Sequence, residues 1–354
     1  MIHHLHTVDA HTAGEPLRMI LGGFPEPKGE SMLDKRAWLK RHADHLRRAL
    51  MLEPRGHQDM YGALLTRPVR PDSDAGVLFM HNEGYSTMCG HGVIAIGTLV
   101  FERGLLTTRE PGVIVLDTPA GQVRARAAIS RRTGDGSATD TEPVGGREPA
   151  ESVPASRVTS VAFENVPSFV LYPGLPVRAA NREVRVDVAF GGAFYAIVDA
   201  EAAGLPIHHS RLQDLRRVGM EIKHAVEAAR QIAHPLDPGL KGIYGTIFTG
   251  PPDVDGSDLR NVTIFADAEV DRSPCGTGTC AVMAVLDGMS LLPEGRPFVH
   301  EGIVDTTFRG RVLRHTTVGD YPAIVPELEG SAWITGEHHF MVDDEDPLKN
   351  GFRI

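Results

Sequence analysis

The sequence carries the same short turn twice. Residues 86–98 read STMCGHGVIAIGT and residues 271–286 read DRSPCGTGTCAVMAVL. Each time a Cys-Gly-X-Gly turn opens an apolar run of helical length. Glycines let a tight turn bring backbone N–H groups to one side. The start of a helix adds unpaired N–H groups and a partial positive charge. Two such starts set face to face would clamp an anion, most simply a carboxylate. A thiol would then stand on each side of the carbon next to that carboxylate, and its pKa is expected to fall toward neutrality.

The surroundings of the two turns repeat as well. DAHTAGEPLRMIL (9–21) and DVAFGGAFYAIVD (187–199) both read as strands broken by a small-residue turn. Asp9 and Asp187 precede their cysteines by similar distances. β-rich runs, 76–85 and 261–270, come just before each turn. Strand pairs follow, at 113–129 and 304–314, and amphipathic helical stretches lie at 31–50 and about 210–232. The order of elements predicts an internal duplication, two α+β halves that bring Cys89 and Cys275 together. Residues 130–156 are almost free of large apolar side chains and read as an exposed loop or linker. They place the boundary so that 1–157 forms the first half and 158–336 the second, with a tail of about 337–354 returning to the first.

Two opposed thiols suit inversion at Cα. One thiolate removes the proton from one face and the other thiol returns one to the opposite face. The enolate-like carboxylate formed in between needs strong electrostatic stabilisation, which the clamp of N–H groups supplies. No pyridoxal phosphate lysine motif and no nucleotide-binding glycine fingerprint is present, so the chemistry is expected to use no cofactor. The third cysteine, Cys280, is about 140° around the second helix from Cys275 and reads as a small buried apolar residue.

The formal charge of −10 over 354 residues argues against a nucleic-acid partner. No apolar run approaches the roughly 18 residues a membrane span needs. The start of the chain lacks the basic and apolar regions of a secretory signal, so the expected location is cytoplasmic. Three cysteines do not suggest a disulfide framework. The histidine pairs 3/4, 208/209 and 338/339 lack zinc-ligand spacing, and no metal is expected.

HTAGEPLR (11–18), LEPRGHQDMYGA (52–63), MCGHG (88–92), GGAFYA (191–196), DRSPCGTGT (271–279) and DEDPLKNGF (344–352) together resemble the proline racemase family. That family includes proline racemases, hydroxyproline 2-epimerases and trans-3-hydroxy-L-proline dehydratases. The resemblance spans nearly the whole chain. It implies a fold of the diaminopimelate-epimerase type, two pseudo-symmetric halves each with a curved sheet around a central helix. It implies Cys89 and Cys275 as the acid/base pair, with His91 and Asp271 near the thiols and the substrate amine. The amides of Gly90, His91, Gly276 and Thr277 are implied as the carboxylate clamp, and Tyr61 and Phe265 as walls of the substrate ring. The implied partner is a small imino acid, proline or a hydroxyproline, and the implied assembly is a monomer or homodimer.

Within the family the motifs divide. HNEGYSTMCGHG and DMYGA look more like the dehydratases. Those enzymes usually carry Thr where this chain has Cys275, and a threonine cannot serve as a second base. Cys275 therefore favours racemisation or epimerisation, with dehydration as the alternative, since both begin by removing the Cα proton. Tyr61 argues mildly against 4-hydroxyproline. Diaminopimelate epimerase is disfavoured by His91, where that enzyme normally has Asn. A ligand-binding protein without turnover is disfavoured by the presence of both thiols. Residue by residue, the plainer alternatives are a helix-capping role for His91, a turn-capping role for Asp271 and simple core packing for Tyr61 and Phe265. His11 is expected only to orient its turn.

Overall fold

The computed structural model describes residues 2–131, 156–293 and 295–353. In chain order the first part contains β1 (Ile2–Thr12), β2 (Glu15–Gly22), α1 (Met32–His42), α2 (Asp44–Met51), β3 (Tyr61–Thr66), β4 (Ala75–His81), α3 (Gly90–Arg103), β5 (Val113–Thr118), β6 (Gly121–Arg131) and β7 (Ser156–Glu164). The second contains β8 (Ser168–Ala179), β9 (Arg182–Phe190), β10 (Phe194–Asp199), α4 (Leu212–Ala229), β11 (Ile243–Gly250), β12 (Leu259–Phe265), β13 (Glu269–Asp271), α5 (Gly276–Gly288), β14 (Phe298–Glu301), β15 (Thr307–Val318) and β16 (Tyr321–Gly330). The chain then returns to the first part as β17 (Ala332–Asp343).

The pairings of the first series recur in the second. β1–β2 is an antiparallel hairpin, β2–β3 parallel, β3–β4 antiparallel, β4–β5 parallel and β5–β6 antiparallel. Likewise β9–β10 is an antiparallel hairpin, β10–β11 parallel, β11–β12 antiparallel, β12–β14 parallel and β14–β15 antiparallel. β6–β7 answers to β15–β16. β17 lies along β1 as β8 lies along β9. β7 and β16 pair with each other and join the two series.

The helices α3 and α5 fill the same place in each series, between the members of a parallel strand pair. GHGVIAIGTLV and GTGTCAVMAV are apolar or small on every face, and residues 90–100 and 276–285 are all buried. A helix of that kind has to be surrounded. α3 packs on β1, β2, β6, β7, β16 and β17, and α5 on β8, β9, β10, β15 and β16. Each fully buried Val, Ile or Leu along them contributes about 1.5–3 kcal/mol.

Several details depart from expectation. The boundary expected at 157/158 falls inside β7, which pairs with β6 on one edge and β16 on the other. The returning tail begins at Ala332 rather than 337, because β17 pairs with β1 from that residue onward. Residues 132–155 of the expected loop lie outside the described residues; Ser130, Arg131 and Ser156 belong to β6 and β7. The helical stretch 31–50 breaks at Ala43, which closes α1 and opens α2. In the second series the strand pair after the turn is β14–β15, so 304–314 covers only its second member and the connecting turn.

Candidate active site

α3 and α5 meet at their N-termini. A Cβ built on Gly90 would fall 2.5 Å from Gly276 Cα, and one on Gly276 would fall 2.4 Å from Gly90 Cα. No side chain larger than hydrogen fits at either position. Among the described residues, no acceptor is recorded for the amides of Gly90, His91, Gly276 and Thr277. Two sets of free helix-terminal N–H groups therefore converge on one small space.

Each cysteine is the residue that caps its helix. Cys89 has extended backbone, and its Sγ accepts from the Gly92 amide at 3.2 Å. Cys275 has φ +61°, a conformation rare outside glycine that costs about 1–3 kcal/mol. Its amide donates to Ser273 Oγ at 3.1 Å, which fixes the turn. In both turns the second glycine lies under the sulfur. A Cβ on Gly92 would sit 3.0 Å from Cys89 Sγ, and one on Gly278 2.9 Å from Cys275 Sγ.

A small pocket separates the thiols. All nine residues singled out from the sequence line it: Tyr61, Cys89, Gly90, His91, Phe265, Asp271, Cys275, Gly276 and Thr277. Met88, Tyr195 and Tyr244 complete the wall. His91 Nδ1 lies 3.2 Å from Cys89 Sγ, and its backbone carbonyl accepts from Thr12 at 2.9 Å. Asp271 Oδ1 accepts from the Ser273 amide at 2.9 Å and from its hydroxyl at 2.6 Å. Tyr195 Oη lies 2.6 Å from Thr277 Oγ1, and Cys275 Sγ donates to it at 3.6 Å. Tyr61 Oη lies 2.5 Å from Ser86 Oγ and 3.2 Å from Tyr244 Oη. The Tyr244 and Phe265 rings stack at 5.4 Å.

The thiols do not titrate as the sequence suggested. Cys89 and Cys275 are 4% and 5% exposed, and burial pushes both well above the ordinary thiol range. The Gly92 amide opposes this at Cys89, while the nearby Asp271 raises both. The helix-terminal amides are present, but the loss of water outweighs them. Burial also lowers His91 to about 3, so its imidazole is neutral. Asp271 is raised to about 6, first by burial.

Glu15 and Tyr244 were not singled out from the sequence. Glu15 is fully buried and accepts from the Arg272 amide at 2.8 Å, tying the β1–β2 turn to the chain just before Cys275. Burial and then Asp271 raise its carboxyl. Tyr244 had a readable signal. Tyr61-Gly62 starts β3, and Tyr244-Gly245 follows the first residue of β11, the counterpart of β3 in the second series. His11 orients its turn as expected, accepting from the Gly14 amide at 3.3 Å. Cys280 is fully buried and its thiol is pushed up to about 12. Among the described residues no three His, Cys, Asp or Glu side chains gather to hold a metal, and no helix is long and apolar enough to cross a membrane.

The sequence matches the family described as "Proline racemase" over residues 7–140 and 140–353. The chain belongs to the proline racemase family. It is 49% identical over 349 residues to a trans-3-hydroxy-L-proline dehydratase from Bacillus cereus, covering 98% of this chain and 97% of the relative. It is 44% identical over 352 residues to a 3-hydroxyproline 2-epimerase from Burkholderia multivorans, covering 99% and 98%. Among solved structures, a hydroxyproline epimerase from Agrobacterium vitis with bound trans-4-OH-L-proline superposes with a TM-score of 0.85 at 30% identity, covering 99% of this chain and 95% of that one. Family members of this kind are racemases, epimerases and dehydratases of proline or hydroxyproline, and this chain is an enzyme of that group.

Proposed function

We propose that this protein inverts Cα of a proline-type imino acid with Cys89 and Cys275 as paired acid and base and without a cofactor. The observation that carries the reading is the pair of cysteines at the N-cap positions of two helices whose N-termini touch. The substrate carboxylate binds the amides of Gly90, His91, Gly276 and Thr277. Its Cα then lies between the two sulfurs. Asp271 takes the ring ammonium, which offsets the cost of a buried carboxylate and of the working thiolate. Tyr61, Phe265 and Tyr244 wall the ring. Bound substrate displaces water from the pocket, so the amides stabilise the enolate-like intermediate without solvent competition. A buried thiolate is also a stronger base than an exposed one, which suits a weakly acidic Cα–H.

The ring substituent is proposed from the relatives. The Bacillus cereus and Burkholderia multivorans proteins are both named for 3-hydroxyproline, so a 3-hydroxylated ring is the favoured substrate. The former also supports a second reading on the same site, dehydration of trans-3-hydroxy-L-proline to a pyrroline-2-carboxylate. The proposed setting is a cytoplasmic monomer or homodimer.

Proton NMR in D2O tests both. Separate samples contain L-proline, trans-4-hydroxy-L-proline and trans-3-hydroxy-L-proline. Loss of the Cα signal with growth of the opposite epimer supports inversion, and the fastest sample names the substrate. Conversion of the 3-hydroxy compound alone, to the pyrroline acid and with no epimer, overturns inversion in favour of dehydration. No Cα exchange in any sample removes both.

A further inference from the structure

We infer that Tyr244 Oη is the acid that protonates the departing hydroxyl of a 3-hydroxylated proline ring, fed by a hydroxyl relay through Tyr61 and Ser86. This rests on the second reading above, dehydration at the same site, and goes beyond it by assigning the group that protonates the leaving hydroxyl. Three hydroxyls form a chain at the cavity wall. Ser86 Oγ lies 2.5 Å from Tyr61 Oη, which lies 3.2 Å from Tyr244 Oη. With Ser86 donating to Tyr61 and Tyr61 to Tyr244, the Tyr244 proton is left over. Among the described residues Tyr244 Oη has no other recorded partner, and Tyr244 lines the cavity. A phenol has one proton and two acceptor positions, so a chain in this direction ends in a donor with no protein acceptor. The other end of the chain leads outward. Ser86 and Tyr244 also line a cleft of about 440 Å³ that is shared with Lys223, Lys241 and Arg36. Protons can therefore re-enter the relay from the cleft.

Stereochemistry selects the partner thiol. In trans-3-hydroxy-L-proline the carboxylate and the hydroxyl lie on opposite ring faces. The Cα hydrogen and the hydroxyl therefore share a face, and the base and the acid must lie on the same side. His91, 3.2 Å from Cys89 Sγ, packs edge-on against the Tyr61 ring at 4.8 Å, which places the Tyr61 part of the relay beside Cys89. The step balances as follows. The Cys89 thiolate takes the Cα proton, the Cα–C3 double bond forms, and the C3–O bond breaks. The Tyr244 proton joins the leaving hydroxyl as water. Tyr61 and Ser86 reprotonate Tyr244 in turn, Ser86 draws a proton from cleft water, and Cys89 returns its own proton to solvent. The enamine product tautomerises to the imine without help from the protein.

The test follows trans-3-hydroxy-L-proline in D2O by NMR, reading Cα exchange and pyrroline-2-carboxylate formation in one tube. Tyr244→Phe keeps the ring that stacks on Phe265 but removes the proton. The ratio of elimination to exchange is expected to fall on the order of 100-fold or more, the scale of general acid catalysis. Ser86→Ala, which interrupts the relay without touching the donor, is expected to lower the same ratio about tenfold and to slow turnover more than it changes KM. A ratio unchanged within about threefold in Tyr244→Phe overturns the inference. So does unmodified protein that exchanges Cα of this substrate without eliminating water. Absence of exchange with every imino acid is a different failure, that of the underlying Cα chemistry.

Discussion

Gly90 and Gly276 lie so close that a methyl group on either would fall within 2.5 Å of the other's Cα. The contact sets how far apart the two helix N-termini can stand, and thereby the width of the space between the thiols. Gly90→Ala or Gly276→Ala must push backbone against backbone, since no flexible side chain lies in between. Overpacking of this kind costs about 1–3 kcal/mol, which an enzyme of this size can survive. Catalysis is expected to suffer more, because a shift near 1 Å at a reacting centre can cost about 100-fold. Thermal unfolding and Cα exchange measured on the same preparation separate the two. A variant that folds and retains more than about a third of the exchange rate would show that the contact does not set the geometry.

The two thiols make unequal predictions. Cys275→Thr is expected to lower inversion on the order of 1000-fold while exchange from one face continues, because Cys89 and its neighbours are untouched. Cys89→Ala is expected to lower inversion and elimination alike by a similar factor. Chiral chromatography of products with NMR of exchange distinguishes them. Full inversion by Cys275→Thr would exclude a two-thiol mechanism.

The features that could be read from the sequence were those that repeat. The two Cys-Gly-X-Gly turns, and the strands before them, located the helix starts, since glycine at a tight turn and an all-apolar helix behind it leave few other arrangements. The hairpins at Asp9 and Asp187 proved to be β1–β2 and β9–β10. Tyr244 escaped because a lone Tyr-Gly in a strand has many ordinary uses; its meaning depends on pairing β11 with β3. Glu15 escaped because its role comes from an acceptor contact to Arg272, 257 residues away in sequence. The thiol pKa was misjudged in sign because local sequence shows the amides that stabilise a thiolate but not the burial that opposes it.

That sign has a consequence for pH. With both thiols held above the ordinary range by burial, the free protein near neutrality carries almost no thiolate. Alkylation by iodoacetamide is expected to rise about tenfold per unit between pH 7 and pH 9, because only the thiolate reacts. His91, neutral down to about pH 3, should add no inflection in that range. Pyrrole-2-carboxylate, a planar ring acid shaped like the deprotonated substrate, should protect both cysteines by filling the cavity. A reaction rate already flat at pH 7 would mean that the amides outweigh burial after all.

Asp271 ties the same burial to stability. Its pKa in the folded protein, about 6, stands above the ordinary 3.8, so the folded state holds this proton more tightly than the unfolded chain. Between those two values the unfolded state binds fewer protons, and stability falls as pH rises. The contribution is complete below about pH 4 and gone above about pH 6. Asp271→Asn does not titrate. Relative to the native protein it is therefore expected to gain up to about 3 kcal/mol between pH 4 and pH 7, whatever its absolute stability at either. Urea denaturation of both proteins at the two pH values measures the difference. A relative loss for the variant as pH rises would mean that Asp271 is held as a carboxylate by its Ser273 hydrogen bonds more strongly than burial opposes it. It would then be charged even between pH 4 and pH 6, where a carboxyl raised to about 6 still keeps its proton.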